Sequence, residues 1–130
     1  MAWVYVEREQ FVRMLEKAKV SVATIDAIKI WAPTVSNKYE TSRSKMFYRS
    51  PKNRYEAWSA GIPNPESNKG KSGGYRVVYF LDLHECTINL DFIEDRKELG
   101  FKNEGHKKKD RYNDYIQGLK DYLKKLEINT

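Results

Sequence analysis

The chain carries one cysteine, Cys86, and two histidines, His84 and His106. A single thiol excludes an internal disulfide, and so few soft ligands give no recognisable zinc set. Apolar runs are short, and none approaches the roughly 20 residues that cross a bilayer as a helix. The opening MAWVYVEREQ lacks the layout of a secretory signal. No acidic pair stands out as a catalytic dyad, and there is no internal repeat or low-complexity tract. These absences lead to the expectation of a soluble, cytoplasmic protein with no cofactor.

What is present is a folding sequence. At 130 residues it has the size of one domain, and a 40% hydrophobic share with nine Tyr, five Phe and three Trp suffices for one core. The net charge of +6 is unevenly placed. Residues 38–76 hold nine basic side chains against Glu40, Glu56 and Glu66, so this window alone accounts for the whole excess. A basic block beside aromatic residues is a footprint for a phosphate backbone. The plainer reading is a solvated surface.

Along the chain, Trp3-Val4-Tyr5-Val6 suits an edge strand. Phe11, Met14, Leu15 and Ala18 recur at helical spacing across residues 7–19. A second helix is expected from Thr24, as N-cap, through Ile25, Ile28 and Trp31, with Pro33 ending it. Residues 34–52 are polar and basic without a clear period, and read as a long connection holding at most a helical turn. Strands follow at 54–59, 74–83 and 87–93, the last with Ile88, Leu90 and Phe92 expected on one face. His84-Glu85-Cys86 makes the turn of a hairpin, and His84 is expected to be exposed there. Gly61, Pro63, Pro65, Gly70 and Gly73 mark the preceding segment as a structured loop. Residues 110–127 are the clearest helix, with Tyr112, Tyr115, Ile116, Leu119, Tyr122, Leu123 and Leu126 as its apolar stripe. The fold class is therefore α+β: an N-terminal strand and two helices, an antiparallel twisted sheet of about four strands, and a C-terminal helix. The helices are expected on one side of the sheet.

The most informative stretch runs from Pro63-Asn64-Pro65 through Lys69-Gly70-Lys71-Ser72-Gly73-Gly74-Tyr75-Arg76-Val77-Val78-Tyr79-Phe80. Gly70-Lys71-Ser72 invites a P-loop reading, which also needs an earlier glycine and a following helix. Pro65 stands at that glycine's position and a strand follows, so the P-loop reading fails.

These same residues resemble the central signature of RelE-type toxins, in which a basic loop and a Gly-Gly-Tyr-Arg turn lead into a Val-rich strand ending in Tyr. The likeness spans residues 61–93 and is supported by the order of elements over residues 3–31. Residues 34–52 read as an insertion in a single RelE-like domain covering residues 1–130. The resemblance implies a toxin of a toxin–antitoxin pair, cutting mRNA on the ribosome without a metal by driving a 2′-hydroxyl onto the adjacent phosphate. Such chemistry needs a base, an acid and cations around the phosphorane. Arginine suits the last task, because its planar fork holds two phosphate oxygens and stays charged.

Carried over position by position, the resemblance implies that Arg76 stabilises transition-state charge. Lys69 becomes the candidate base or phosphate ligand, and Arg96 or Lys97 the basic residue after the last strand, with Arg96 taken as catalytic. Lys71, Lys97, Lys52, Arg54 and Tyr75 are the expected RNA-binding residues. Ser67 stands where a second family lysine is expected, and Phe101 stands nearest a family tyrosine. The acid or stacking residue is left open among Phe101, His106 and Tyr112, with Tyr115 a further substitute for the family tyrosine. A second expectation concerns Tyr75 and Tyr79, which share strand parity with Val77 and so belong to a crowded core face. The implied partners are a cognate antitoxin, mRNA and the ribosome. Two other functions stay open, a ParE-like gyrase inhibitor and a non-catalytic nucleic-acid-binding module on the same scaffold.

Overall fold

The apolar strands of the C-terminal half form the middle of a sheet in a computed structural model of the chain. The structure describes residues 4–17, 20, 22, 25–26, 44–62, 74–95 and 106–129, with the backbone alone at 95 and 106–110. The elements are β1 (Val4–Glu7), α1 (Glu9–Lys17), β2 (Ser44–Arg49), β3 (Tyr55–Ile62), β4 (Tyr75–Asp82), β5 (Thr87–Asp95) and α2 (His106–Ile128). The five strands lie in the order β1-β5-β4-β3-β2. β3 to β5 pair antiparallel as expected, β2 adds antiparallel to β3, and β1 adds to β5 in parallel, so the sheet is mixed.

β4 explains why both sides of this sheet are covered. Its alternate residues Tyr75, Val77, Tyr79 and Leu81 join one core cluster with Phe11, Leu15, Trp58, Ile88, Leu90 and Ile93. Val78 and Phe80 belong to the opposite cluster, with Tyr55, Ala57, Phe92, Leu119 and Leu123. A strand buried on both faces reads as a continuous apolar run rather than an alternation, as Val77–Leu81 do. The helices therefore do not share one side: α1 serves the first face, and α2 closes the second. The tyrosine-rich stripe of α2 is core, with the Tyr115 ring stacked on Phe92 at 4.6 Å between centroids.

Two bulges set the register. Pairing jumps from Met46↔Trp58 to Tyr48↔Ala57 in β2, and from Tyr79↔Leu90 to Val78↔Phe92 in β5. The extra residues are Phe47 and Asp91, and both meet side chains of the α2 face. The bulge at Asp91 corrects the expected parity of β5: Ile88 and Leu90 face one core, whereas Phe92 faces the other. Asp91 is buried and accepts bonds from Arg8 (2.8 Å) and from the Tyr115 hydroxyl. β1 pairs only with Thr87–Leu90 of β5. Beyond it the chain turns into α1, and Gln10 Nε2 donates to the Asp91 carbonyl at 2.9 Å. The helix thereby shields the rest of that strand edge.

Residues 44–49, expected within a connection, are the edge strand β2. Their two-residue period is interrupted by the bulge at Phe47, which is why no period showed. Of the second expected helix, residues 25–26 are helical and Ile25 packs on the first core. The remainder lies outside the described residues. The strand expected at 54–59 runs on to Ile62, pairing with β4 over Tyr55–Ile62.

Candidate functional site

Arg76 is the second residue of β4 and lies half-buried on the α2 face. Its cross-strand neighbours are Gly61 on β3 and Glu94 on β5. Gly61 places no side chain beside Arg76 on β3, while Glu94 stands opposite it on β5, where directly opposed Cβ atoms lie roughly 5 Å apart. Tyr112 comes from the early turns of α2. Burial raises its hydroxyl above the usual tyrosine value, and the nearby positive charge of Arg76 works against that rise. At neutral pH Tyr112 is therefore a protonated O–H donor next to a cation.

Beside these residues is a cavity of about 210 Å³ lined by Met14, Phe92, Glu94, Arg111 and Tyr112. Its walls are apolar and aromatic, with the Phe92 and Tyr112 rings 5.6 Å apart and tilted by 55°. Glu94 supplies an acceptor and the exposed Arg111 a donor. The cavity is therefore suited to a planar group carrying both donors and acceptors.

Where the sheet ends is equally informative. Ile62, Tyr75 and Asp95 form one row of paired residues across β3, β4 and β5. The connection 63–73 joins the first two, and the connection 96–105 leaves the third toward α2. Lys69 and Lys71 belong to the first connection, and Arg96, Lys97 and Phe101 to the second. All five lie outside the described residues, as does the side chain of His106. Their described attachment points share one end of the sheet with Arg76.

Lys52 and Arg54 are placed elsewhere. They precede Tyr55, which pairs with Asp82, six steps along β4 from Arg76 and on the order of 20 Å away. Arg54 donates from Nε and Nη2 to Asp82 at 3.2 and 3.1 Å, and the Lys52 N–H donates to Glu127 at 2.8 Å. Tyr75 is 7% exposed within the first core and cannot present its ring to a ligand. Its buried position agrees with the parity argument rather than with RNA stacking. Arg76 and Tyr112 are thus the two expected site residues that the described structure brings together.

Sequence alone assigns no role to Glu94 or Arg111, and places Met14 and Phe92 on apolar faces only. Counting back along the hairpin without a bulge would set Ile93 opposite Arg76 and turn Glu94 to the other face. Among the described residues no three His, Cys, Asp or Glu side chains gather in a way that could hold a metal ion. No described helix is long and apolar enough to cross a membrane. No family model, no curated protein and no solved structure matches the chain.

Proposed function

We propose that this chain is the toxin of a toxin–antitoxin pair, a cytoplasmic endoribonuclease that cuts mRNA on the ribosome without a metal. One observation carries the reading. Arg76, set between Gly61 and Glu94 beside the protonated Tyr112, lies at the sheet end where both lysine- and arginine-bearing connections attach.

The chemistry follows from those groups. A 2′-hydroxyl oxygen attacks the adjacent phosphorus and loses its proton to a base, for which Lys69 is the candidate. The phosphorus–5′-oxygen bond breaks, leaving a 2′,3′-cyclic phosphate and a 5′-hydroxyl. Arg76 holds the non-bridging oxygens as negative charge grows on them. Tyr112 keeps its proton at neutral pH and is suited to deliver it to the departing 5′ oxygen. A cognate antitoxin that covered this end would silence the enzyme by occupying Arg76.

The test is induced expression of wild type and Arg76→Ala in a bacterial host, followed by mapping of mRNA 5′ ends. Growth arrest with new cuts in translated messages, absent in the variant, is the expected result. Arrest with intact messages would overturn it in favour of gyrase inhibition. Salt-sensitive RNA binding without arrest or cuts would overturn it in favour of a binding module.

A further inference from the structure

We infer that the cavity between β5, α1 and α2 is a guanine-recognition subsite. In it Glu94 reads the Watson–Crick edge of the base, Arg111 contacts the neighbouring edge, and Phe92 and Tyr112 provide the aromatic wall. For its biological substrate the inference rests on the ribonuclease reading above, since Tyr112 borders both the cavity and Arg76. A base seated here would belong to a nucleotide adjoining the bond that is cut.

Size is the first argument. A volume of about 210 Å³ falls short of the roughly 300–1,000 Å³ typical of pockets for drug-sized ligands. It has room for one planar heterocycle. The lining is the second argument. Met14, Phe92 and Tyr112 give a base the polarizable and aromatic contacts that make stacking favourable for any nucleobase.

Discrimination then falls to the two charged residues, and guanine is the base that uses both. Its Watson–Crick edge presents N1–H and the N2 amino group side by side, two parallel donors for the two oxygens of one carboxylate. Its O6 and N7 form an acceptor pair that an arginine fork can engage. Adenine and cytosine each offer a single amino group and present an acceptor beside it, which a carboxylate repels. Uracil offers one N–H between two carbonyls. Glu94 already has a contact within the protein. A carboxylate has about four acceptor positions, so bonds to guanine add to that contact rather than requiring its loss. Burial sharpens the choice. Glu94 is half-buried, and a base that sets an acceptor against such a carboxylate is penalised more than in water.

Position in the fold makes this a property of the bulge at Asp91. The extra residue rotates Phe92 and Glu94 onto the α2 face, beside Arg76 and under Tyr112. Without it both side chains would point to the α1 face, and the cavity would lose its acceptor and one ring.

The experiment uses the purified full chain. Guanosine, adenosine and cytidine 5′-monophosphates are titrated in turn by calorimetry, with wild type, Glu94→Gln and Arg111→Met. Guanosine monophosphate is expected to bind at least roughly tenfold more tightly than the other two. Glu94→Gln puts an amide donor against the donors of guanine and should bring the three nucleotides to within about twofold of one another. Arg111 is exposed, so Arg111→Met leaves the fold intact and should weaken guanosine monophosphate by roughly tenfold, the loss of one charged hydrogen-bond contact. Equal affinity for all three nucleotides, or selectivity unchanged in both variants, would overturn the subsite. Competition by a guanine-containing trinucleotide, but not by its adenine counterpart, supports an RNA base as the occupant. Its failure to compete would leave a free guanine nucleotide and overturn the link to RNA. Selective nucleotide binding with no mRNA cleavage would support the subsite and sink the nuclease. Cleavage with no guanine bias at the mapped ends and no selective binding would do the reverse.

Discussion

At the end of the sheet where β3 begins, Arg54 is held by two hydrogen bonds to Asp82, and its guanidinium lies 5.2 Å from the centre of the Tyr55 ring. Glu127, from the last turn of α2, is buried there and accepts bonds from the Ser50 hydroxyl and from the Lys52 and Arg54 N–H groups. At the other end Arg76 stands between a glycine and a carboxylate, beside a tyrosine and an open cavity. Both ends were basic in the sequence. The first holds its arginine on Asp82 and clasps α2 to the β2–β3 turn through the Ser50 hydroxyl and two backbone N–H groups, whereas at the second Arg76 stands opposite Glu94, one of the residues that line the cavity. Cation count therefore says little about binding until each cation's partner is known.

The largest effect that would sharpen this contrast comes from exchanging the two arginines' fates. Arg76→Ala should lower the cleavage rate by roughly 100- to 1,000-fold, the range found for losing one transition-state donor, with the urea midpoint close to wild type. Arg54→Ala should do the opposite, lowering the midpoint while the cleavage rate of the folded protein stays unchanged. A stable Arg54→Ala protein that no longer cuts RNA would break the comparison.

Between the two ends, Asp91 ties Arg8 and Tyr115 together through a buried carboxylate. Asp91→Ala should destabilise the fold by about 3 kcal/mol, the low end for breaking a buried charged pair. The low end applies because the Arg8 side chain keeps 32% of its surface exposed to water. Burial raises the Tyr115 hydroxyl well above the usual tyrosine value, and the adjacent Asp91 carboxylate adds to it. The unfolded chain therefore releases this proton first, and stability drops as pH rises above about 10. Chemical denaturation at pH 7 and pH 10.5 should show a smaller drop for Tyr115→Phe than for wild type.

A smaller effect is expected at the clasp. Burial alone would raise the Glu127 carboxyl, but the bonds from Ser50, Lys52 and Arg54, with the charge of Lys52, outweigh it and hold the group below 4.5. Its contribution is present above the unfolded value and is lost as pH falls through the lower folded value. The urea midpoint of wild type should therefore fall more between pH 7 and pH 3 than that of Glu127→Gln. At pH 7 Glu127→Ala should cost about 2 kcal/mol, for donors left without their acceptor.

Much of the architecture could be read in advance because it is local. The stripe of α2, the hairpin around His84 and the run of β4 all follow from spacing and turn chemistry, and each is present. What escaped were features that depend on a distant partner. β2 was hidden because the bulge at Phe47 interrupts its alternation. The split of the helices between two faces was hidden because an apolar stripe records that a face is covered, not by what.

The sequence by itself determined an α+β fold, the position of Arg76 on a strand, and the concentration of the net positive charge in residues 38–76. Only the tertiary structure decided that Arg54 is held by Asp82 while Arg76 stands opposite a carboxylate that lines a cavity. It also decided that Glu94, rather than Ile93, stands opposite Arg76. The reason is that side-chain direction in a strand has a period of two, so one inserted residue, Asp91, reverses every position after it. Nothing local in the spelling of β5 announces that insertion. It is stabilised from outside the strand, by Arg8 and Tyr115 reaching in from opposite ends of the chain to hold the displaced carboxylate.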